Sequence, residues 1–316
     1  MTTTPVRTAA AVAAAAALLA LPGRAAAQAG TAVTAPILLR IPAGVRAASL
    51  GGAGAAVTDA EAIFHDPAQL AQARGVAMGV QRYGGGATLG SVAIALPFAP
   101  GGLGVGVQYL DYEARCLVCG GAIPESEREL ARGGDLPASA LVASLGFGRT
   151  LSGVRVGAAA KWVEQRIPEA RGGAAAVDVG VGYDVGPVAL AVAARNLGGR
   201  LSDGLPRGRR ELPRSATAGA ALDELPVGPL DLSAAADVTV YDGGWVTAGG
   251  GVEVGYTPLE GYTYAGRVGV RHVPHGGVGP VTLGLALTRD RIGVEYAFEP
   301  LDGPGAVHRI GVRLRP

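Results

Sequence analysis

The stretch Val281-Thr282-Leu283-Gly284-Leu285-Ala286-Leu287-Thr288 decides the fold of this chain. Every odd-numbered residue in it is large and apolar, whereas every even-numbered residue is small or polar. Successive side chains of a β-strand point to opposite faces, so this period of two predicts a strand with one apolar face. The same alternation appears at 292–298, 177–184, 230–240 and 309–314. It therefore characterises most of the chain rather than one segment.

The alternation predicts about 14 strands of roughly ten residues, the length that a tilted membrane-crossing strand requires. The predicted strands are 75–83, 88–97, 102–112, 138–149, 153–166, 174–185, 187–196, 213–223, 229–241, 244–256, 262–273, 279–289, 291–300 and 305–315. Short turns separate many of them, and longer polar stretches lie at 113–137 and 197–212. Short turns at one end and longer loops at the other are typical of an outer-membrane barrel.

Composition favours a membrane barrel over a soluble β-sandwich. Only 17% of the 316 residues are charged, 52 are glycine, and the net charge of +1 excludes the basic footprint of a nucleic-acid-binding protein. A sandwich would turn its apolar faces inward, whereas a membrane barrel turns them to lipid and its small and polar residues to the lumen. The predicted fold class is thus all-β, a single transmembrane antiparallel β-barrel, with a soluble exported sandwich as the alternative.

The N-terminus reads as a signal peptide over residues 1–27. Arg7 gives the positive region, 8–21 is an uncharged Ala/Leu stretch, and 25–27 supplies the small residues before cleavage. We find no continuous apolar helix beyond it that would cross a bilayer. An exported apolar chain of this kind predicts a closed barrel in the bacterial outer membrane.

Residues 28–74 interrupt the alternation. Asp59 is a suitable N-cap, and Pro67 suits a first helical position. We interpret this segment as a short helical plug inside the lumen, which leaves 75–316 as the barrel.

The lumen is predicted to carry charges of both signs. The charged residues expected to face it are Arg155, Lys161, Asp178, Asp184, Asp237, Glu253, Arg267, Arg271, Glu295, Arg309 and Arg313. Mixed charges inside a barrel favour an ion-pair network that holds the plug; the alternative is a lining that guides a polar substrate.

Aromatic residues near strand ends suggest girdles at the two membrane interfaces. The residues are Tyr83, Tyr109, Trp162, Tyr183, Tyr241, Trp245, Tyr256, Tyr262 and Phe298. The alternative is the ordinary preference of aromatic side chains for strands.

The plug segment resembles the N-terminal signature of the PorV/PorQ family. The resemblance rests on 44–57, followed by Asp59 and 63–71, and on 194–198 at a strand end. The residues that carry the plug motif are Arg46, Gly51, Gly52, Asp59, Phe64, Asp66, Pro67 and Leu70. Asp66 stands where the family usually has Asn. Members of the PorV/PorQ family are outer-membrane proteins associated with type IX secretion, and their superfamily includes the FadL long-chain fatty acid transporters. The resemblance implies a 14-stranded barrel with an N-terminal plug.

No arrangement of residues predicts catalysis, a cofactor or a metal site. Cys116 and Cys119 are the only cysteines, and in an exported chain they predict a local disulfide, ahead of a redox or zinc role. The stretch 52–54 lacks the third glycine of a dinucleotide fingerprint. His272 and His275 flank a proline, which indicates a solvated turn rather than a metal site.

Three functions follow from this reading. The resemblance to the PorV/PorQ family implies a non-enzymatic barrel that receives or shuttles secreted proteins, with loops 113–137 and 197–212 contacting the cargo. The alternative is a FadL-like transporter of hydrophobic small molecules such as long-chain fatty acids, with a lateral opening in the wall and a pocket near Ile63, Phe64 and Leu70. The third is a plugged structural protein. The predicted partners are outer-membrane lipid and either secreted cargo or a hydrophobic small molecule, not nucleic acid; the oligomeric state stays open.

Overall fold

The computed structural model describes residues 36–114, 136–167, 170–201, 210–242, 244–259, 261–272, 279–301 and 305–316. The predicted signal peptide, the Cys116–Cys119 pair and His275 lie outside the described residues.

Fourteen antiparallel strands close into one barrel, in which β16 pairs with β1. The barrel strands are β1 Gly75–Tyr83, β2 Thr88–Phe98, β3 Gly101–Ala114, β4 Leu136–Leu151, β5 Val154–Ile167, β6 Ala170–Val185, β7 Val188–Gly198, β10 Ser215–Val227, β11 Leu230–Tyr241, β12 Val246–Leu259, β13 Tyr262–His272, β14 Val281–Arg289, β15 Ile292–Pro300 and β16 Ala306–Leu314. The short strands β8 Arg200–Leu201 and β9 Arg210–Glu211 form a separate hairpin between β7 and β10. Each of the 14 predicted segments corresponds to a barrel strand, so the predicted fold class is confirmed.

The two ends of the barrel differ in their connections. At one end, here called the short-turn end, two residues join each strand pair, as at 152–153, 186–187 and 290–291. Asp290 adopts a φ of 52°, as expected of tight hairpin turns between twisted strands. The opposite end, here called the long-loop end, carries the longer connections, including those between β3 and β4 and between β7 and β10.

The outer surface of the barrel is apolar. In β14, Leu283, Leu285 and Leu287 are 45%, 64% and 42% exposed, whereas Thr282 on the opposite face is 1% exposed. The same pattern of exposed Val, Leu and Ile side chains continues around the ring, as at Val270. An apolar surface this extensive exceeds what monomeric soluble proteins expose to water. The alternation therefore places apolar residues outward and small or polar residues inward, as in a membrane barrel.

The predicted aromatic girdle is wrong at three positions. Tyr83 and Tyr241 are buried on the inward face, and Trp245 stacks on Tyr241 with 4.1 Å between ring centroids. The reason is strand parity: an aromatic residue at a strand end faces whichever side its position in the alternation dictates. Tyr109 and Phe298 do face outward.

The described part of the N-terminal segment packs against the inward faces of strands on opposite sides of the ring. It contains a 3₁₀ turn at Ile37–Arg40, helix α1 at Val45–Ser49, helix α2 at Ala62–His65 and a second 3₁₀ turn at Pro67–Ala71. No helix among the described residues is long and apolar enough to cross a membrane. We call residues 36–74 the plug segment.

Inward-facing glycines allow the second 3₁₀ turn to approach β3 to β6 closely. A Cβ atom at position 146 would lie 2.7 Å from Ile63 Cδ1, and one at 148 would lie 2.6 Å from the Pro67 carbonyl oxygen. A Cβ at position 180 would overlap Asp66 Oδ1. Real Cβ atoms do not approach other atoms this closely, so an added methyl at these positions would have to displace the plug segment's atoms.

The opposite side of the lumen receives α1 and Gly51 in the same way. A Cβ at position 251 would lie 2.8 Å from Leu50 Cα, and one at 311 would lie 2.8 Å from Val45 Cγ2. The plug segment is therefore held between two glycine-lined surfaces, on β3 to β6 and on β12 to β16.

We expect Gly180→Ala to lower the free energy of unfolding by about 1–3 kcal/mol, because the added methyl overpacks against Asp66. The matched control is Gly266→Ala, an outward-facing glycine whose added Cβ would meet no atom within 4 Å. Urea unfolding in detergent measures both. Equal stabilities of the two variants would contradict the close fit.

Candidate functional site

Asp66 caps the second 3₁₀ turn, which carries Pro67 and Leu70 of the plug motif. It is fully buried; its Oδ1 accepts a hydrogen bond from the Ala68 N–H at 2.8 Å, and its Oδ2 accepts one from Gln69 Nε2 at 3.0 Å. Pro67 occupies the first position of the turn, where its missing N–H costs nothing. Burial raises the pKa of the Asp66 carboxyl to about 7, against the opposing effect of the Ala68 N–H.

Gly51 and Gly52 form the bend after α1. Gly51 adopts a φ of 71°, and its N–H donates to Thr282 Oγ1 at 3.2 Å. The Thr282 hydroxyl donates to the Ser49 carbonyl oxygen at 3.0 Å, and the Gly52 N–H donates to that of Ala47 at 2.8 Å. Thr282, one of the small polar residues of the opening stretch, thus ties the wall to the plug segment.

Asp237 binds the backbone of the plug segment. Its Oδ2 accepts hydrogen bonds from the N–H groups of Gly54 at 2.7 Å and Ala55 at 2.9 Å. A carboxylate that accepts two backbone N–H bonds fixes a loop without any side-chain partner. This predicted lumen charge therefore has a partner in the plug segment.

Arg46 of α1 enters an ion-pair network on the β10–β13 side. Its Nη2 lies 3.1 Å from Asp223 Oδ1 and 3.1 Å from Glu253 Oε1. Glu253 also pairs with Arg267, whose Nη2 lies 2.8 Å from Glu295 Oε1. The plug motif's arginine is thus joined to three of the predicted lumen charges.

Arg313 of β16 continues the same network to the other helix of the plug segment. Its Nη2 lies 3.2 Å from Glu295 Oε2, 3.4 Å from Asp59 Oδ2 and 3.7 Å from Glu61 Oε2. Burial, reinforced by the charge of Asp59, raises the pKa of Glu61 to about 8. Asp59 and Glu61 lie beside α2, so the wall holds both helices through buried charges.

A second group of charges lies nearer the long-loop end. Arg309 donates to Glu299 Oε2 at 2.7 Å and to Gln81 Oε1 at 2.9 Å, while Arg271 pairs with Glu299. Gln81 Nε2 donates to the carbonyl oxygens of Pro42 and Ala43, at 2.9 and 3.0 Å. This group therefore also fixes plug backbone.

The remaining predicted charges pair within the wall. Lys161 pairs with Asp178, and Arg155 pairs with Asp184, whose side chain is 46% exposed. Asp178 Oδ1 accepts the N–H of Asn196 at 2.8 Å, beside a register shift between β6 and β7.

Sequence reasoning did not assign five polar residues to these networks. They are Gln81, Asn196, Asp223, Thr282 and Glu299. Strand parity would have found Gln81 and Glu299, because each occupies an inward position of its strand. The sequence around one residue does not show which distant residue it pairs with: Arg46 and Glu253, for example, lie 207 residues apart.

The pocket predicted near Ile63, Phe64 and Leu70 is instead wall packing. These side chains fill the space above wall glycines: a Cβ at position 106 would lie 2.5 Å from Phe64 Cε1. All three side chains are buried, with exposures of 0%, 5% and 0%. The space left by these wall glycines is thus occupied by the plug segment.

A cluster of buried apolar side chains lies inside the barrel at the long-loop end and includes residues of the first 3₁₀ turn. We call it the apolar chamber. Ile37, Leu38 and Ile41 are its members from the plug segment, and Tyr112 in it contacts Gln165, with 2.9 Å between Oη and Nε2. Its other members are Tyr83, Ala87, Leu89, Leu110, Tyr112, Ala138, Ala140, Val142, Val163, Ile167, Ala174, Ala176, Leu201, Leu212, Leu301 and Val307.

The described residues hold no cluster of three or more His, Cys, Asp or Glu side chains arranged for a metal ion.

Comparisons with known proteins identify the fold but not the family. No family model matches the sequence, and no curated protein is significantly similar to it. The CymD monoaromatic hydrocarbon channel is 11% identical, with a TM-score of 0.53 over 89% of this chain and 97% of that one. The toluene transporter TodX of Pseudomonas putida is 12% identical, with a TM-score of 0.52 over 85% and 96%. At such identities the likeness establishes the shared barrel fold alone.

We expect Asp66→Asn to stabilise the protein above pH 7. Because the folded-state pKa of Asp66 is raised to about 7, its contribution to stability is full at low pH and lost as the pH rises through 7. Asparagine stays neutral and keeps the acceptor for Ala68. Its Nδ2 can donate to Gln69 Oε1, which has no hydrogen-bond partner among the described residues.

Unfolding free energies from pH 5 to 9 measure this effect. The unmodified chain should lose stability across this range relative to Asp66→Asn, whereas Asp290→Asn, in an exposed turn, should follow the unmodified chain. Parallel profiles for all three proteins would show that the pKa of Asp66 is not raised in the folded protein.

Proposed function

We propose that this chain is an outer-membrane channel for small hydrophobic molecules, with the apolar chamber as its binding site. The proposal rests on the chamber itself, a cluster of buried apolar side chains inside the barrel at the end where the loops are long. A ligand site of this kind is concave, mostly apolar and equipped with few polar groups. The fold shared with two hydrocarbon channels supports it.

The membrane setting rests on the outer surface of the barrel. Exposed apolar residues encircle it, and their alternation with small and polar inward residues is the pattern of a barrel in lipid. The longer loops at one end suit the outer side of a bacterial outer membrane. The signal peptide predicted at residues 1–27 would deliver the chain there.

Ile37, Leu38 and Ile41, which lie in the chamber, are the part of the plug segment best suited to exchange with a ligand. The N–H groups of Leu39 and Ile41 donate within the segment itself, to Pro36 and Leu38. Those of Gly51, Gly54 and Ala55 donate to wall side chains. The side chains of Ile37, Leu38 and Ile41 are apolar and pack in the chamber, so a hydrophobic molecule that replaces them would exchange one set of apolar contacts for another.

The charged networks hold the rest of the plug segment in place. Arg46, Asp59 and Glu61 join it to both sides of the lumen, and the signs of the surrounding charges are mixed. Paired charges do not select anions or cations, so we assign them to fixing the plug rather than to guiding a charged substrate.

The secretion role implied by the PorV/PorQ resemblance has less support. The two solved structures reported above are hydrocarbon channels, which favours the FadL-like alternative. Most of loop 113–137 and part of 197–212, the proposed cargo contacts, lie outside the described residues. A plugged structural barrel differs from the proposed channel only in never admitting a ligand to the chamber.

Uptake of labelled toluene tests the proposal, in bacteria whose own hydrocarbon channels are deleted. We expect the unmodified chain to raise uptake and Ala140→Trp to return it to the background level, because the indole fills the chamber. The matched control is Ala143→Trp, which faces outward on the same strand and should leave uptake unchanged. Leu38→Ala should raise uptake by loosening the chamber's contents.

Background uptake by the unmodified chain, or equal uptake by both tryptophan variants, would overturn the channel proposal. Oleate uptake without toluene uptake would move the ligand class to long-chain fatty acids. A secreted protein that co-purifies in stoichiometric amount would favour the secretion role instead.

A further inference from the structure

An apolar groove lies on the outer surface of the barrel, where β16, β1, β2 and β3 run side by side. Its volume is about 610 Å³. Gly90 forms its floor, in register between Val80 and Tyr109, and a Cβ at this position would meet no atom within 4 Å. Met78 and Val92 continue the groove toward the short-turn end, with exposures of 43% and 42%.

Two cationic or protonatable side chains lie at the upper end of this groove, toward the long loops. Arg82 and His308 are exposed and face each other in register between β1 and β16, two residues beyond Val80 and Ile310. Arg82 Nη1 lies 3.4 Å from Thr88 Oγ1, and His308 Nδ1 lies 2.8 Å from the Tyr296 hydroxyl. Both side chains keep further donor capacity after these contacts.

Within the described part of the chain, neither Arg82 nor His308 has a carboxylate at ion-pair distance. Asp111 is an outward-facing acid at the same height on the barrel: it is in register with Thr88, which is in register with Arg82. Its backbone is two strands away from that of Arg82, or roughly 10 Å. Among the described residues, this end of the groove therefore carries a guanidinium and an imidazole that are not paired with a carboxylate.

The two side chains lie at the level of outward-facing aromatic residues. The His308 ring packs edge-to-face against Phe298, with 5.5 Å between centroids, and its neighbour Tyr296 also faces outward. Outward aromatic residues of this kind mark the membrane interface, where lipid headgroups lie. The groove thus begins at headgroup level and runs down into the apolar belt.

We propose that this groove binds one phospholipid, with an acyl chain along Gly90 and the phosphate on Arg82 and His308. The apolar floor fits a hydrocarbon chain, and the cationic end complements a phosphate. A second copy of the chain fits poorly, since a two-fold contact through this face would bring the cationic ends together. The proposal rests on the membrane setting proposed above, but not on transport.

Native mass spectrometry tests the site on the full barrel in detergent, with equimolar phosphatidylglycerol and phosphatidylcholine as probes. We expect one retained lipid, with phosphatidylglycerol in excess, because the choline cation of phosphatidylcholine offsets the attraction of its phosphate to Arg82. Arg82→Gln with His308→Gln should bring the two lipids to equal retention. Gly90→Leu should reduce the retention of both, because the side chain fills the groove.

Two matched controls lie on other faces of the barrel. Arg166→Gln with Arg171→Gln removes two outward cations that already pair with Glu164. Gly266→Leu fills an outward glycine between Val254 and Leu285. Both controls should retain lipid as the unmodified chain does, with the same excess of phosphatidylglycerol.

Equal retention of the two lipids by the unmodified chain would overturn the phosphate site. So would an excess of phosphatidylglycerol that survives the Arg82/His308 double variant, or equal losses in Gly90→Leu and Gly266→Leu. A dimer that Gly90→Leu dissociates would assign the groove to a second copy. A protein that stays in solution without detergent and retains neither lipid would contradict the membrane setting as well.

Discussion

The close approach of the plug segment to wall glycines is the contact on which the rest of this structure depends. Glycine within a strand weakens it, because it packs no side chain. Here the missing side chains make room for Ile63, Phe64 and Leu70 on one side of the lumen and for Leu50 and Gly51 on the other. The lumen is filled by a separate chain segment rather than by large wall residues, which accounts for much of the glycine content.

The buried charges follow from the same arrangement. A pair of buried charges contributes little net stability, because desolvation offsets the attraction, but loss of one partner leaves the other uncompensated and costs several kcal/mol. The networks around Arg46 and Arg313 join charges of the plug segment to charges of the wall. They therefore specify one position for the plug segment, whereas Ile37, Leu38 and Ile41 pack in the chamber through apolar side chains. This division suggests a fixed part and an exchangeable part of the same segment.

Most of the fold was predictable because the period of two is local to each strand. The alternation around Thr282 predicts a strand, and it shows which side chains share its apolar face and which share its polar face, without any knowledge of the rest of the chain. The partners inside the lumen were not predictable in this way, since Asp237 binds the amides of Gly54 and Ala55 from a position more than 180 residues distant. The predicted pocket near Phe64 failed because a sequence does not show which wall residues lie opposite. The same plug motif is also compatible with both secretion and transport, so it does not decide the function.

In a membrane barrel the alternating strands present their apolar face to lipid. Trp162 tests it directly, because it is 51% exposed on the outward face of β5 and is one of two tryptophans in the chain. With Trp245→Phe, its fluorescence is measured in vesicles whose lipids carry bromine on the acyl chains. We expect strong quenching by the brominated lipid and protection from aqueous iodide. Quenching by iodide, with no response to the brominated lipid, would place this face in water rather than in lipid.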